Sequence, residues 1–275
     1  MSRSAAAAAA VAALLCLWPA AARQAEGEPP DAYPRAGKAY LVAIDGAEVW
    51  ARAADRPLPP ASLTKLMTAL LVLEAQEDPG TWVRVSALSA RETGSRLGLR
   101  EGEALSLEGA LTATLVSSAN DACLALAEHV AGSGPAFVAR MNARAQKLGL
   151  GATHFQNPCG HDAAGHVSSA RDLLRLARAA LAFPEFRRMV ALKEATVATR
   201  GGRSFALRTH NLLLGRLRGA LGVKSGYTEG AGRCMVALAV RDGVEVLAVL
   251  LDSPDRWWTT AALVELAFDE AHRHG

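Results

Sequence analysis

Ser62 and Lys65, a hydroxyl and an amine three residues apart, are the pair in this chain whose types and spacing could do chemistry. Pro59 and Pro60 end whatever precedes them, and Leu66, Met67, Leu70, Leu71 and Leu73 follow at helical period. That pattern predicts a helix running to about Gln76, with both residues in its first turn. Residues i and i+3 share a helix face with Cβ atoms roughly 5–6 Å apart, which brings the hydroxyl and the amine within hydrogen-bond reach. A weak nucleophile beside a base is the arrangement covalent catalysis requires. A plain helix start with a solvated lysine would carry the same letters, and composition tilts the choice. Of 30 basic side chains only five are lysine: Lys38, Lys65, Lys147, Lys193 and Lys224. Arginine stays protonated in a protein, whereas a desolvated lysine can lose its proton and act as a base.

Two further polar groups stand out. Ser118 and Asn120 fall in Ser117-Ser-Ala-Asn-Asp121, a bend between two apolar helical runs, and the pattern places them on a knuckle facing outward. Such residues are also ordinary helix N-caps. Lys224-Ser225-Gly226, followed by Tyr227, falls on a strand, where a charge, a hydroxyl and a glycine make poor core material. Glycine there marks close approach of a ligand or another backbone. The plainer explanation is a lysine guarding an edge strand. No other Ser-x-x-Lys exists in the chain, and the three groups occur in order on a helix start, a bend and a strand.

The elements that must position them follow from periodicity and turn chemistry. Apolar runs at Lys38–Asp45 and Ala47–Arg52, joined by Asp45-Gly46, predict a hairpin. After the Ser62 helix come a short strand at Trp82–Val85 and a glycine-dotted loop over 91–103, expected to wall a cleft. Helices are predicted from Leu105 to the 117–121 bend, over Ala122–Ala131, over 135–148 and over Ser169–Leu181, with a long loop at Gly149–Val167. Strands then follow at Ala195–Thr199, Phe205–Arg208, Gly222–Ser225, Arg233–Val240 and Val244–Leu251, and a last helix at Trp257–His272 packs onto the sheet through Trp257 and Trp258. An early hairpin, a helical middle and late antiparallel strands predict an α+β fold. The two chain ends share one antiparallel sheet flanked by helices, with a helical subdomain inserted between them.

The chain has 275 residues, 51% hydrophobic and 21% charged, an ordinary globular balance. A net charge of +3 gives no footing for nucleic acid, and neither Walker loop, zinc-type cysteine spacing nor His-Glu-x-x-His is present. No cofactor is implied. Cys159, His161 and His166 match no standard metal spacing. Arg3, an uncharged stretch from Ser4 to Ala22 and an Ala-x-Ala end predict a signal peptide over residues 1–22, cleaved after Ala22, rather than an uncleaved anchor. A flexible linker follows over 23–37, then a single domain over 38–275. Three cysteines remain after cleavage, Cys123, Cys159 and Cys234, so at most one bridge can form, and the spacing leaves the pair open.

The ordered trio resembles that of class A β-lactamases and penicillin-binding proteins. The residues around it resemble one family over about 38–270. Ala61-Ser-Leu-Thr-Lys-Leu-Met-Thr-Ala, Ser118-Ala-Asn-Asp-Ala-Cys, Asn157-Pro-Cys-Gly, Gly165-His-Val-Ser-Ser-Ala-Arg-Asp-Leu and Gly222-Val-Lys-Ser-Gly-Tyr-Thr-Glu are similar to serine-type D-alanyl-D-alanine carboxypeptidases, the low-molecular-mass penicillin-binding proteins. Ser225 stands where threonine is commoner, and the hydroxyl is kept. The resemblance implies a β-lactamase/transpeptidase-like fold, peptidoglycan stem peptides as substrate and β-lactam antibiotics as inhibitors. It implies Ser62 as nucleophile, Lys65 as base, Ser118 as proton relay and Asn120 as holder of Lys65 and the substrate amide. Lys224 and Ser225 would bind the terminal carboxylate, and the backbone N–H groups of Ser62 and Tyr227 would form the oxyanion hole beside Gly226. Nothing after the last helix matches the extra β-domain or amphipathic tail of many relatives, which favours a soluble periplasmic or wall-associated protein. A DD-endopeptidase would use the same site. A β-lactamase would need a loop glutamate, and residues 149–170 offer only Asp162. An inert wall-binding protein would not need every motif side chain.

Overall fold

The computed structural model describes residues 29–274; the signal sequence expected over 1–22 lies outside them. Strand β1 (Ala39–Ile44) turns through Asp45-Gly46, both at positive φ, into β2 (Ala47–Arg52). A 3-10 turn, Ala61–Thr64, then leads into α1 (Lys65–Glu74). Next come β3 (Trp82–Arg84), α2 (Ala87–Ala90), β4 (Ala104–Ser106), α3 (Leu107–Val116), α4 (Asn120–Ala131) and α5 (Gly134–Lys147). The chain continues through α6 (Ala170–Leu181), α7 (Pro184–Val190), β5 (Glu194–Ala198), β6 (Ser204–Arg208), β7 (Ala220–Thr228), β8 (Gly232–Arg241), β9 (Val244–Leu251) and α8 (Arg256–His274).

The main sheet has the order β2-β1-β9-β8-β7, antiparallel throughout. The first and last strands of the chain therefore share one sheet, as expected, and the helical segment is inserted between them. Both faces of that sheet are covered. Leu41, Val236, Leu238, Leu247 and Val249 point into the core shared with α1, α3, α4 and α6. Tyr40, Val42, Met235, Val246 and Leu250 point to the other side, against Leu263, Val264 and Phe268 of α8. Burial on both faces explains why β1, β8 and β9 read as near-continuous apolar runs rather than alternating ones.

Several boundaries differ from the sequence expectation for identifiable reasons. The helix expected from Leu105 begins at Leu107, because Ala104–Ser106 pairs with β3 and the Ser106 hydroxyl caps the helix by accepting from Gly109 N at 3.0 Å. Two short helices carry signals too local for periodicity. Helix α2 starts on a Ser86/Ser89 capping box, and α7 starts with Pro184 in its first turn. Trp257 packs into the α8 core, but Trp258 is 79% exposed and contributes nothing to it. Successive helical residues lie about 100° apart, so both could not face the sheet.

Candidate active site

The Ser62 turn is held from three directions. Its own chain supplies the i,i+3 geometry: Lys65 Nζ lies 3.2 Å from Ser62 Oγ. Ala61 has φ +49, in the region L-residues seldom adopt, and such strain persists only where the surroundings impose it. Part of that support is His166, buried and neutral, its basicity pushed down to about 4, chiefly by desolvation. Its Nδ1 accepts from Gln156 N, so its Nε2 carries the proton toward Thr64 Oγ1, which in turn donates to Ala61 O. Cys159 is disulfide-bonded to Cys123, and His161 is paired with Glu92, so the three candidate metal ligands are each otherwise engaged. The cysteine pairing left open by spacing is thus Cys123–Cys159, with Cys234 a buried free thiol.

Two glycines press against this turn. A Cβ on Gly226 would lie 2.9 Å from Ser62 N and 3.0 Å from Ala61 Cβ, so β7 passes too close for any side chain. Gly160, at φ +89, would place a Cβ against Ala61 O and 2.9 Å from Ser62 N. The first was expected from its strand context. The second was hidden in a long loop, where its only sequence signal was Asn157-Pro-Cys-Gly.

Lys65 is fully buried, at 0% exposure. Its Nζ donates to Asn120 Oδ1 at 2.7 Å and to the Cys159 carbonyl at 2.6 Å. Desolvation holds its basicity well below that of an ordinary lysine; Lys224 pushes it the same way, and Glu92 opposes. The bend carrying Ser118 and Asn120 does not face outward as expected; both residues are buried. The 91–103 loop covers them. Asn120 N donates to Ser95 O at 2.7 Å and its Nδ2 to Thr93 O at 2.6 Å, while Asp121 accepts from the N–H groups of Leu97, Gly98 and Leu99. Asn120 therefore holds Lys65 and the cleft wall together. Ser118 sits at φ +59 and accepts from Lys224 Nζ at 3.0 Å.

Lys224 lies on β7, which is indeed the sheet edge, yet it is only 3% exposed and so does not guard that edge. Burial lowers its pKa to about 7, with Arg256 adding to the effect. Arg256 donates to Gly226 O at 2.5 Å and stacks over Trp257 at 4.5 Å, bracing β7 from behind. Ser225 is buried beside Lys224, whereas the Tyr227 side chain is 59% exposed and does not join the group. Seven of the eight expected residues thus converge by side chain or close backbone approach, around Ser62, Lys65, Ser118, Asn120, Lys224, Ser225 and Gly226.

The family described as D-alanyl-D-alanine carboxypeptidase matches residues 25–255. The chain belongs to that family. The carboxypeptidase DacF of Bacillus subtilis is 31% identical over 270 residues, covering 95% of this chain and 69% of the relative. DacD of Salmonella typhimurium is 38% identical over 70% of this chain and 51% of its own length, so the chain spans about half of that carboxypeptidase. D-alanyl-D-alanine endopeptidases of Pseudomonas aeruginosa and Escherichia coli also match, at 33% and 32% identity. Among solved structures, the Streptomyces K15 DD-transpeptidase superposes with a TM-score of 0.80 at 27% identity, covering 85% of this chain and 97% of that one. The fold is that of the DD-peptidases, α+β with an antiparallel sheet, as the sequence implied. The Ser62-x-x-Lys65, Ser118-x-Asn120 and Lys224-Ser225-Gly226 groups of this chain all lie within the matched region and meet in this cleft.

Proposed function

We propose that this chain is a penicillin-sensitive serine DD-carboxypeptidase, removing the terminal D-alanine from peptidoglycan stem peptides through an acyl-enzyme on Ser62. The observation that carries this reading is the Lys65 amine, fully buried beside a second cation so that its uncharged form is favoured, and held within reach of Ser62 Oγ. An uncharged amine has two N–H groups and one lone pair. Asn120 Oδ1 and Cys159 O are acceptors only and take the two N–H groups, which leaves the lone pair for the Ser62 hydroxyl at 3.2 Å.

In acylation, Ser62 Oγ attacks the carbonyl carbon of the scissile bond as its proton passes to Lys65 Nζ. The backbone N–H groups of Ser62 and Tyr227 stabilise the oxyanion, each such donor contributing roughly 3–4 kcal/mol in comparable sites. The C–N bond breaks as the Ser118 hydroxyl passes a proton to the leaving amine, and Ser118 recovers its proton from the Lys65 ammonium. Lys65, neutral again, then activates the water that hydrolyses the ester. Lys224 and Ser225 hold the substrate carboxylate. Penicillins enter as substitutes for the same acyl donor.

Asp162, the one acid on the 149–170 loop, accepts from Thr228 Oγ1 at 2.6 Å and Gly230 N at 3.0 Å. That commitment argues against a second, lactamase-type water base. The endopeptidase relatives support cross-link cleavage as a second activity of the same site. We place the mature protein in the periplasm or at the wall; the Cys123–Cys159 bridge supports this, since such bonds persist in oxidising compartments.

Fluorescent-penicillin labelling with intact-mass detection, on the wild type and Ser62→Ala, tests the reading. A stable adduct that is lost on mutation is expected. Rapid penicillin turnover would make the protein a lactamase, and no adduct would make it an inert scaffold.

A further inference from the structure

The two acceptors that fix the Lys65 amine come from segments far apart in the chain. Asn120 is the first residue of α4; the Cys159 carbonyl lies in the 149–167 loop. Among the described residues, the cross-link between those segments is the Cys123–Cys159 disulfide, whose ends lie 36 positions apart in the chain with a Cα–Cα distance of 6.0 Å. One end sits a single helical turn from Asn120. The other is the residue that supplies the carbonyl itself. The next residue is Gly160, which packs against Ala61 and Ser62 N.

We propose that the Cys123–Cys159 disulfide positions the catalytic base, holding both acceptors of Lys65 at one spacing so that its lone pair stays aimed at Ser62. Cys123 and Cys159 are positioning residues on this view, and the inference rests on the reading of Lys65 as base. Lys65 bonds to the Cys159 carbonyl at 2.6 Å, and Thr68 Oγ1 bonds to that of Pro158 at 2.6 Å, so α1 grips this loop through two successive carbonyls. Without the cross-link no covalent bond ties the loop to α4, and the Cys123 and Cys159 sulfurs are left only their long contacts with the Pro158 and Asn120 carbonyls, at 3.4 and 3.7 Å. An acceptor that drifts outward frees one N–H, lets the amine rotate and opens a fully buried group to water.

The consequences have definite signs. The charged groups facing Lys65 are Lys224 on β7, which lowers its basicity, and Glu92 on the 91–103 loop, which raises it; burial lowers it most. Neither charge lies on the cross-linked segments. Glu92 is paired with His161 of the cross-linked loop, but hydration would act on the burial penalty, the largest of these effects, raising the Lys65 pKa and moving the acid limb of acylation to higher pH. Misaiming the lone pair would slow the step itself, by roughly 10- to 100-fold for displacements near 1 Å. A purely structural cross-link would lower Tm and leave the limb where it is.

The test is the acylation rate with fluorescent penicillin against pH, for the wild type and for the Cys123→Ala/Cys159→Ala double variant, below the Tm of both. We expect a rate drop in that range and an acid limb displaced upward. If the double variant does not fold, the folded wild type is reduced with a dithiol, which becomes the cyclic disulfide as the bridge becomes two thiols. The rate should then fall and return on reoxidation. An unchanged rate and limb in the uncrosslinked protein would overturn the proposal while leaving the acyl-enzyme intact. No adduct in the oxidised wild type would overturn the base assignment and the proposal together.

Discussion

Lys65 and Lys224 are two buried lysines in one cleft, and the structure gives them opposite tasks. Complete burial, with Lys224 as a second cation nearby, favours the neutral form of Lys65, and its two acceptor-only partners and the Ser62 hydroxyl fix where that amine points. Lys224 donates to the Ser118 hydroxyl and the Ser225 carbonyl, and burial lowers its pKa to about 7. An arriving carboxylate would favour its charged form. Burial alone cannot separate base from anion binder, because both lysines are buried. What separates them is the sign of the charge each is about to meet, together with the geometry of its acceptors.

The largest effect should come from erasing the difference at Lys65. Lys65→Arg keeps a charge but removes any neutral form, so acylation by penicillin should fall by roughly 100- to 10,000-fold while reversible ligand binding survives. Stopped-flow labelling alongside equilibrium binding measures both. Normal acylation by the variant would remove Lys65 as the base.

Gly226→Ala attacks the boundary between the two regions. Its Cβ would meet Ser62 N at 2.9 Å and Ala61 Cβ at 3.0 Å, and both contacts belong to backbone or a short side chain that cannot swing away. The strand must shift from the nucleophile, and kcat/KM should drop by roughly 100-fold with little change in Tm. A wild-type rate would show that β7 can yield there without cost.

The smallest effect is a matter of pH. Lys224 must be protonated to hold a carboxylate, so kcat/KM for a D-Ala-D-Ala peptide should decline above its pKa of about 7, approaching about tenfold per pH unit. Lys65 must be neutral, so its limb lies on the acid side. Lys224→Arg should abolish the alkaline limb and leave the acid one. An alkaline limb that persists in that variant would assign it to another group.

Much of this site was legible because its parts are local or typed. Ser62 and Lys65 meet through three residues of helix geometry, and Lys224-Ser225-Gly226 announced itself as wrong for a strand interior. The hairpin, the late strands and the inserted helices followed from turn residues and period. Three features were not legible. The inward face of Ser118 and Asn120 depends on a loop folding over them, held by Asp121 through three backbone N–H groups. The second acceptor of Lys65 is a backbone carbonyl, which any residue type would supply. Gly160 showed only as the last residue of Asn157-Pro-Cys-Gly in a long loop, with nothing to say that it packs against Ser62.

By itself the sequence determined which side chains could react, in what order along the chain, and on which kinds of element, since spacing and period are properties of neighbours. Tertiary structure alone decided that Cys123 pairs with Cys159 rather than Cys234, and that one buried lysine is dried and aimed while the other waits for an anion. Those outcomes depend on distances between segments up to about a hundred residues apart. Such distances are set by how helices and sheet pack, and no local pattern records them.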